Sequence, residues 1–368
     1  MMIKKIISVV GARPNFMKVA PLDRAFKLHN GFFEHQIVHT GQHYDVNMSD
    51  AFFHDLEMPQ PTYFLGVGSG SHAEQTAKIM LEFEKVCIQA KPDLVIVVGD
   101  VNSTIACALT AIKLGIKVAH VEAGLRSGDR SMPEEINRIA TDSICDYCFV
   151  TEQSGYDNLI KEGKNPDSIF LVGNTMIDSQ YFAIEKAKKS EILSKLNLIA
   201  KEFILVTLHR PSNVDAQEQL RSILEIFSEF SSQRKIVFPV HPRTRKNISQ
   251  FGLDDLVGNN QNIKLTEPLG YIDFLCLMMN SDFVLTDSGG IQEETTALSV
   301  PCITARTTTE RPVTLIMGTN KLIKPSPDEI RKTIQEFIRG ERPTAKEQVP
   351  LWDGHASDRI VKKLREII

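Results

Sequence analysis

Short apolar runs alternate with amphipathic segments along the first half of the chain. The apolar runs are IKKIISVV (3–10), HQIVHT (35–40), DLVIVVG (93–99), KVAHVE (117–122), YCFVT (147–151) and SIFLVG (168–173). Between them lie segments such as AEQTAKIMLEFEKVCIQA, whose apolar positions recur at helical spacing. Strands apolar enough to be buried on both faces, alternating with helices, are typical of a parallel sheet covered on both sides.

The second half repeats this pattern. Its apolar runs are FILVTLH (203–209), KIVFPVH (235–241), NIKLTEP (262–268), DFVLTD (282–287), PCITAR (301–306) and KLIKP (321–325). A long polar helical stretch, 181–202, lies between the halves, and we expect the boundary near Gly173. The sequence therefore predicts an α/β fold of two Rossmann-like, doubly wound domains that face a common cleft, with ligands bound beyond the strands' carboxyl ends.

Composition limits the class of protein. The chain has 368 residues, 42% of them hydrophobic, which is enough for two separate cores. Its net charge of −4 argues against a surface that binds nucleic acid. No run of eighteen apolar residues occurs, and the opening MMIKKIISVVGARP is typical of a first core strand, not of a signal peptide. We expect a soluble, cytoplasmic protein that inserts into no membrane.

The six cysteines lie mostly in apolar surroundings. Only Cys145 and Cys148 form a C-x-x-C motif, and no second pair of ligands at zinc-site spacing exists. The motif does not open a helix after a strand, where a thiolate would be stabilised. We interpret these residues as buried, reduced thiols and predict no metal site.

Ionisable residues or glycines follow nearly every predicted strand. They are Arg13, Thr40 to His43, Gly99-Asp100, His120 with Glu122, Gly173-Asn174, His209-Arg210, His241 to Arg243, Asp287 to Gly290, and Arg306. Ordinary turns have no need of such residues, so the pattern favours an enzyme.

The clearest site is TDSGGIQEE, residues 286–294. Two glycines follow a strand and open a helix, whose first N–H groups would face an anion, and Ser288 is placed to cap it. The motif has neither the lysine of a P-loop nor the spacing of a dinucleotide turn. Glu294 could accept the hydroxyls of a ribose, so the segment predicts a nucleotide site. Arg13 and Lys18 could add positive charge to the diphosphate.

A second dense segment, VEAGLRSGDRSMPEEINR (121–138), contains four carboxylates and three arginines just after a strand. Carboxylates beside arginines can be held in different protonation states, which acid–base chemistry on two faces of a substrate requires. We interpret Arg126, Arg130 and Arg138 as structural ion-pair partners of this acidic loop.

The motifs together resemble one family. GARPNFMKVAPL, TGQHYD, VVGDVNST, HVEAGLRS, MPEEINR, VGNTMID, TLHR, PVHPRT, LTDSGGIQEE and TTERP occur in the order found in the non-hydrolysing UDP-N-acetylglucosamine 2-epimerases. The resemblance implies the GT-B arrangement, usually as a homodimer. It implies an N-terminal domain (1–173), a C-terminal domain on the UDP side (174–358) and a helix (359–368) that crosses back to the first domain.

The resemblance also implies the reaction and its residues. UDP-GlcNAc and UDP-ManNAc would interconvert through loss of UDP to a 2-acetamidoglucal and its re-addition, with no redox cofactor and no tightly bound metal. The acid–base candidates are Asp100, Glu122, Glu134 and His209. The substrate-binding candidates are Arg13, Lys18, Phe274 (near uracil), Ser288, Gly289, Gly290, Glu294 (at the ribose) and Arg311; His209 would also lie beside the phosphates.

Two departures from the family pattern matter. Better-known members read GTRPEAIK where this chain has GARPNFMK, so an acidic residue becomes Asn15. They read QHREM where this chain has QHYDV, in a region that some bacterial members use for an activating second UDP-GlcNAc. Gln42, His43, Arg210 and His241 correspond to possible allosteric residues, but the arginine of that motif is missing.

Several alternatives stay open at this level. The chain could act on another UDP-2-acetamido sugar such as a diacetamido-uronic acid, or release free ManNAc and UDP as hydrolysing epimerases do. A GT-B glycosyltransferase would use the same UDP site but has less need of the Glu122 and Glu134 pair. A catalytically silent UDP-sugar-binding protein would not need the acidic set. The sequence leaves open which carboxylate serves which face of C2, the pathway, and the oligomeric state.

Overall fold

The structure, a computed structural model, describes residues 3–42, 55–345 and 347–368. It divides into two compact units, Met1–Phe182 with Pro350–Ile368, and Ala183–Val349. Each unit contains one parallel β-sheet flanked by helices. The predicted α/β fold with two doubly wound sheets is confirmed, and the domain bounds expected at 173 and 358 stay predictions.

The first unit contains a seven-stranded sheet in the order β3-β2-β1-β4-β5-β6-β7, parallel throughout. Its strands are β1 Lys4–Val10, β2 Phe33–His39, β3 Tyr63–Phe64, β4 Leu94–Val98, β5 Lys117–Ala123, β6 Tyr147–Val150 and β7 Ile169–Leu171. Sequence analysis missed only β3, because two residues are too few to show a period.

The helices that follow these strands are α1 Arg13–Lys27, α2 His72–Ala90, α3 Asn102–Lys113, α4 Pro133–Ile144, α5 Gln153–Lys161, a 3₁₀ turn Pro166–Ser168, and α6 Thr175–Ala187. Ser71 and Glu74 form a reciprocal capping box at the start of α2, which explains why that helix begins there. The core between sheet and helices includes Phe83, Val97 and Ala108, all fully buried. Burial of a side chain such as Phe83 stabilises the unit by about 1.5–3 kcal/mol.

The end of the chain completes this first unit. Trp352 is buried and its indole N–H donates to the carbonyl of Thr151 at 3.0 Å. The last helix, Ala356–Ile367, packs against α1. Residues far apart in the sequence therefore share one core.

The second unit contains a six-stranded parallel sheet in the order β10-β9-β8-β11-β12-β13. Its strands are β8 Phe203–Thr207, β9 Lys235–Pro239, β10 Ile263–Thr266, β11 Phe283–Thr286, β12 Cys302–Ala305 and β13 Asn320–Ile323. Each lies within a predicted apolar run or differs from it by one residue.

The remaining helices are α7 Ile192–Lys195, α8 Pro211–Val214, α9 Gln217–Phe230, α10 Pro242–Gln250, α11 Asp254–Gly258, α12 Tyr271–Asn280, α13 Gly289–Ala297, α14 Val313–Ile316, α15 Pro327–Ile338 and α16 Ala356–Ile367. The core of the second unit includes Phe227, Phe238 and Phe337. The polar stretch 181–202 is not one helix, because α6 ends at Ala187 and a turn precedes the short α7. Within the described ranges, no helix combines the length and apolarity needed to cross a bilayer.

Candidate active site

The carboxyl ends of β4 and β5 hold two of the predicted acid–base residues. Asp100 follows β4 after Gly99, which turns the chain with φ +65°. Glu122 lies near the end of β5, is buried, and has φ +71°, where the pairing with β6 shifts register between Val121 and Ala123. A left-handed conformation costs a non-glycine residue about 1–2 kcal/mol. Strain of this kind is typical of functional sites, where surrounding contacts hold it.

Lys18 compensates the buried charge of Glu122. Its Nζ lies 2.6 Å from Oε2 of Glu122, and each side chain is only 5% exposed. A β-carbon on Gly99 would lie 2.9 Å from the Lys18 Nζ, so this position requires glycine for space as well as for its φ. The predicted contact of Lys18 with a diphosphate stays a prediction. Arg13 is the first residue of α1.

Helix α4 carries the third acid–base candidate. Glu134 is half-buried in its first turn, beside Glu135. The Glu135 carboxylate accepts hydrogen bonds from the backbone N–H of Ser127 (3.0 Å) and Gly128 (2.9 Å), and these bonds with that of Arg138 outweigh burial and lower its pKa. This carboxylate therefore shapes the acidic loop.

The arginines of the acidic loop have different roles. Arg138 donates to Glu135 at 2.7 Å and to the carboxylate of Asp100, so it links two acids. Arg126 pairs with Asp142 and Glu162, both at 2.7 Å. Arg130 is exposed, and no ion pair of it is seen within the described residues. Arg126 and Arg138 thus form ion pairs as interpreted, Arg138 with an acid of the loop and Arg126 with acids outside it, and the interpretation of Arg130 stays a prediction.

A cavity of about 310 Å³ opens beside these acids. Asp100 and Glu134 line it, and helices α2, α3 and α4 all begin at its wall. Helix N-termini carry partial positive charge, which favours bound anions and ionised carboxylates. The other lining residues are Gln42, Ser69, Gly70, His72, Gln75, Val101, Pro133, Asn102 and Asn137.

Gln42, a possible allosteric residue, is buried at this cavity. Its Oε1 accepts hydrogen bonds from the N–H and hydroxyl of Ser103, at 3.0 and 2.7 Å. The amide therefore also braces the start of α3. His43 lies outside the described residues.

In the second unit, β11 leads through Asp287 and Ser288 into α13, which begins at Gly289 as predicted. Ser288 occupies the N-cap position, but the expectation that its side chain caps the helix is wrong. The hydroxyl of Thr286 accepts the N–H of Ser288 at 3.0 Å and closes the turn instead. The first N–H groups of the helix therefore keep the anion-facing role that the glycine turn predicts.

Asp287 organises the second site, and sequence analysis did not single it out. It is fully buried and accepts the backbone N–H groups of His209 and Arg210, the latter at 2.8 Å, as well as the amide of Asn213. The His209 ring Nδ1 lies 3.0 Å from its carboxylate. Burial acts to raise the pKa of Asp287, but these hydrogen bonds outweigh it and lower the pKa. Asp287 thus fixes the turn that presents His209.

The rings of His209 and His241 lie 5.4 Å apart. His241 caps α10, its Nδ1 accepting from the N–H of Arg243 at 3.2 Å. Arg210 precedes α8. The structure thus brings three residues of the second unit named in the sequence analysis to adjoining strand ends, those of β8 and β9.

Glu294 is buried within α13 and accepts a hydrogen bond from the hydroxyl of Tyr271 at 2.6 Å. Burial raises the pKa of Glu294 to about 7, although the Tyr271 bond acts in the opposite direction. Phe274 is half-buried one turn after Tyr271 on α12. The predicted ribose and uracil residues therefore lie on two helices joined by this bond.

Arg311 covers the start of α13. Its Nε lies 2.9 Å from Glu293, and it also contacts Glu310, which pairs with Arg306 at 2.9 Å. A β-carbon at Gly289 would lie 2.6 Å from a guanidinium nitrogen of Arg311, so only glycine allows this approach. The guanidinium therefore lies at the start of the helix, where its charge is shared with Glu293 and Glu310.

Of the C-x-x-C cysteines, Cys145 follows the end of α4 and Cys148 lies in β6, with their sulfur atoms 3.4 Å apart. Both are buried, and contact with Cys148, together with burial, raises the pKa of Cys145. Asp142 is close enough to complete a three-ligand set. However, Asp142 already accepts bonds from His120, Arg126 and the N–H of Gly124. Two sulfur ligands remain, which is too few for a structural zinc site.

Several residues that shape these sites were missed from sequence alone. Asp142 and Tyr271 act through contacts with residues far away in the chain, and His120 was noted only as a strand-end residue. Asn15, noted only as a departure, accepts the N–H groups of Gly11 and Ala12 and donates to Val98. Such contacts leave no periodic signal in a sequence.

Two parallel α/β sheets, a buried acid–lysine pair and a glycine turn beside a buried acid define a GT-B-like enzyme. A sucrose-phosphate synthase from Thermosynechococcus elongatus, 12% identical with a TM-score of 0.63 over 99% of each chain, shows the same fold and no more. The family model described as UDP-N-acetylglucosamine 2-epimerase matches residues 25–365. The chain belongs to this family of isomerases.

Individual relatives agree with that assignment. A UDP-N-acetylglucosamine 2-epimerase of Methanocaldococcus jannaschii is 43% identical over 98% of both chains. The crystal structure of the M. jannaschii UDP-GlcNAc 2-epimerase in complex with UDP-GlcNAc and UDP has a TM-score of 0.90 and 43% identity over 98% of this chain and 99% of that one. A UDP-2,3-diacetamido-2,3-dideoxy-D-glucuronate 2-epimerase of Pseudomonas aeruginosa is 38% identical over 99% of this chain and all of its own.

Proposed function

We propose that this protein interconverts UDP-GlcNAc and UDP-ManNAc without net hydrolysis. The observation that carries the proposal is the set of acids in the first unit. Asp100 and Glu134 line one cavity, and Arg138 joins Asp100 to the helix of Glu134. Glu122 lies on the neighbouring strand, paired with Lys18.

The chemistry explains why acids are needed. No carbonyl flanks C2 of the sugar, so its proton cannot leave as an enolate. A carboxylate takes the C2 proton and the C–H electron pair forms a C1=C2 double bond. The C1–O bond breaks, and UDP leaves with the electron pair of that C1–O bond. Protonation of the glycal on the opposite face of C2 and re-addition of UDP to C1 complete the epimerisation. Because no electrons are gained or lost overall, no redox cofactor is required.

Asp100, Glu122 and Glu134 are the proposed proton-transfer groups, with His209 as a fourth candidate. In the second unit, the start of α13, Arg311 and His209 would stabilise the departing diphosphate. Arg13 and Lys18 would add positive charge from the first unit. Glu294 would accept the ribose hydroxyls, and Phe274 would contact uracil.

Proton NMR of UDP-GlcNAc with the protein in heavy water tests the proposal. We expect deuterium at C2 as UDP-ManNAc accumulates. Asp100→Asn and Glu122→Gln should each slow this exchange by roughly 10²–10⁴-fold. Asp129→Asn is the matched control, because within the described part of the chain that loop carboxylate bonds to the N–H and hydroxyl of Ser131 and to neither catalytic candidate. Its exchange rate should stay within about twofold.

Other products would contradict the proposal in distinct ways. Free ManNAc and UDP would show the hydrolysing reaction. Exchange with a UDP-diacetamido-uronic acid but not with UDP-GlcNAc would favour the second candidate, which the similarity to the P. aeruginosa enzyme supports.

We also propose that the protein works as a cytoplasmic homodimer; all six cysteines are free and buried, which fits a reducing compartment. Activation by a second UDP-GlcNAc would involve Gln42, His43, Arg210 and His241.

A further inference from the structure

His120 lies in the middle of β5 and is completely buried. Both ring nitrogens face oxygen atoms: Nδ1 is 2.6 Å from Oδ1 of Asp142, and Nε2 is 2.8 Å from the carbonyl oxygen of Gly99. A carbonyl oxygen can only accept a hydrogen bond. Nε2 therefore carries a proton.

The other nitrogen faces a carboxylate that is held in its ionised form. Asp142 Oδ2 accepts hydrogen bonds from Arg126 at 2.7 Å and from the N–H of Gly124 at 3.0 Å. Burial acts to raise the pKa of Asp142, but His120 and Arg126 outweigh it and lower the pKa. An ionised carboxylate only accepts, so Nδ1 carries a proton as well. An imidazole with protons on both nitrogens is a cation.

The imidazolium donates from Nε2 to the carbonyl oxygen of Gly99, in the peptide group that joins Gly99 to Asp100. The carbonyl of Gly99 and the N–H of Asp100 belong to the same planar unit. Asn137 donates to the Asp100 carbonyl at 2.9 Å, and Arg138 donates to its carboxylate. Helix α4 therefore holds Asp100 at three points. Asn137 and Arg138 contact it directly, and Asp142 acts through His120.

Gly99 also lies beside the Lys18–Glu122 pair. Gly99 lies against the Lys18 Nζ, which would be 2.9 Å from an added β-carbon. Its N–H donates to the carbonyl of Val121, the residue between His120 and Glu122. A shift of Gly99 would therefore move two of the acids at once.

We propose that His120 is a positioning residue that carries a proton on both ring nitrogens in the folded enzyme and, through Gly99, holds Asp100 and the Lys18–Glu122 pair in place for proton transfer at C2. The kinetic part of this inference rests on the proposed function; the protonation part does not. Burial acts to lower the pKa of His120, but Asp142 outweighs it, so the pKa is raised.

The charged and titratable groups around the ring come from three elements. Asp142 and Cys145 lie on or at the end of α4, Arg126 follows β5, and Cys148 pairs with His120 in the sheet. Arg126 pairs with Glu162 as well as with Asp142, so two cations, Arg126 and the imidazolium, face two carboxylates. Both thiols are buried, and the pKa of Cys145 is raised, so that thiol stays neutral.

Nitrogen NMR of the protein labelled with ¹⁵N-histidine tests the protonation directly. We expect both ring nitrogens of His120 to show attached protons at neutral pH, with the signals assigned by their loss in His120→Gln. His35 is the internal comparison: it also faces a carboxylate, Asp23, at 2.9 Å, but its Nε2 faces the hydroxyl of Ser8 at 2.8 Å. A hydroxyl can donate or accept, so that geometry demands no second proton. A His120 nitrogen without a proton overturns the proposal.

Kinetics test the positioning role. In His120→Asn the amide nitrogen replaces Nδ1 and keeps the Asp142 contact but loses Gly99; in His120→Gln it replaces Nε2 and keeps Gly99. We expect His120→Asn to slow C2 exchange about 10²-fold per folded molecule, because small displacements at reacting groups cost this much. UDP-sugar affinity should change less than about threefold, and His120→Gln should retain more activity.

The outcomes separate the two hypotheses. Equal losses of rate and affinity, or full activity in a folded His120→Asn, would overturn the positioning role while leaving the epimerase reaction intact. Absence of C2 exchange in the unmodified protein would instead contradict the proposed function, and the NMR result would still decide the protonation of His120. If neither variant folds, the spectrum of the unmodified protein remains decisive.

Discussion

Both units contain residues whose surroundings disfavour their usual backbone conformation or ionisation state. Glu122 adopts a left-handed backbone conformation while buried against Lys18. Glu294 is a buried acid whose hydrogen-bonding partner, Tyr271, is a neutral hydroxyl. Burial raises the pKa of Tyr271 well above its usual value, so the hydroxyl remains a donor. Such environments separate the protonation behaviour of one carboxylate from that of another.

We expect binding of UDP-GlcNAc to release a proton from Glu294 below about pH 7. The pKa of Glu294 is raised to about 7, and the ribose hydroxyls would be accepted by the ionised form. Affinity should therefore fall about tenfold for each pH unit below that value. Calorimetry in buffers of different ionisation enthalpy measures the proton, since the diphosphate diester itself does not titrate there. Glu294→Gln should show weaker binding and no proton release; release equal to that of the unmodified protein would contradict the assignment.

The raised pKa of Glu294 also predicts how the free energy of unfolding changes with pH. Between pH 4.5 and about 7 the folded protein holds a proton on Glu294 that the unfolded chain has lost. The free energy of unfolding contributed by this group therefore falls as pH rises through that window, by at most ~3 kcal/mol. Urea titrations of Glu294→Gln should lack this component.

At the scale of elements, buried carboxylates fix where helices begin and how they dock. Asp178 on α6 accepts the N–H groups of Ala356 (3.0 Å) and Ser357 (2.7 Å) and the Ser357 hydroxyl (2.6 Å). It thus caps α16 from another helix. Asp287 and Asp142 likewise bind backbone N–H groups at strand ends.

Asp178→Ala should destabilise the first unit by about 2 kcal/mol. The change leaves three buried donors of α16 without their acceptor, and each unmade bond costs on the order of 1 kcal/mol. The single tryptophan, Trp352, lies in the same segment, so its fluorescence in a urea titration reports the release of α16. Glu366→Ala is the control: among the residues that the structure describes, Glu366 pairs with Lys363 alone, at the surface, and its loss should change the midpoint little. Equal shifts in the two variants would contradict the capping role.

At the scale of the whole molecule, the first unit is discontinuous in sequence. Residues 350–368 belong to it although the second unit precedes them. Trp352, Ile360, Val361 and Leu364 are buried, and α16 packs on α1. At about 1.5–3 kcal/mol for each such side chain, their sum is comparable to the entire stability of a domain.

A chain truncated after Val349 should therefore lose the fold of its first unit and keep that of the second. We expect the amide NMR signals of the first unit to collapse and those of residues 183–349 to persist. UDP should still bind, because the glycine turn and Glu294 lie in the second unit, but C2 exchange should vanish. Removal of only Ile367 and Ile368, which are partly exposed, is the control and should preserve both units. Persistence of a folded first unit in the longer truncation would refute this prediction.

Much of this organisation could be predicted from the sequence. Apolar runs of five to eight residues located twelve of the thirteen described strands, because strands buried on both faces need continuous apolar side chains. The glycine helix start at Gly289 and the charged strand ends at Asp100, Glu122 and His209 were visible because parallel sheets place their functional residues there.

Tertiary structure alone decided which partner each charge meets. Sequence adjacency could not show that Lys18 pairs with Glu122, that Tyr271 donates to Glu294, or that Asp142 contacts the His120 ring, since each pair is separated by at least twenty-two residues and joined only by folding. The role of Ser288 was misjudged for the same reason, because a hydroxyl caps a helix only when it faces the free N–H groups. The sequence by itself determined the strands, the turns and the inventory of chemical groups, because these depend on local patterns of polarity. The protonation and placement of those groups depend on burial and on distances of a few ångströms, which only the folded chain defines.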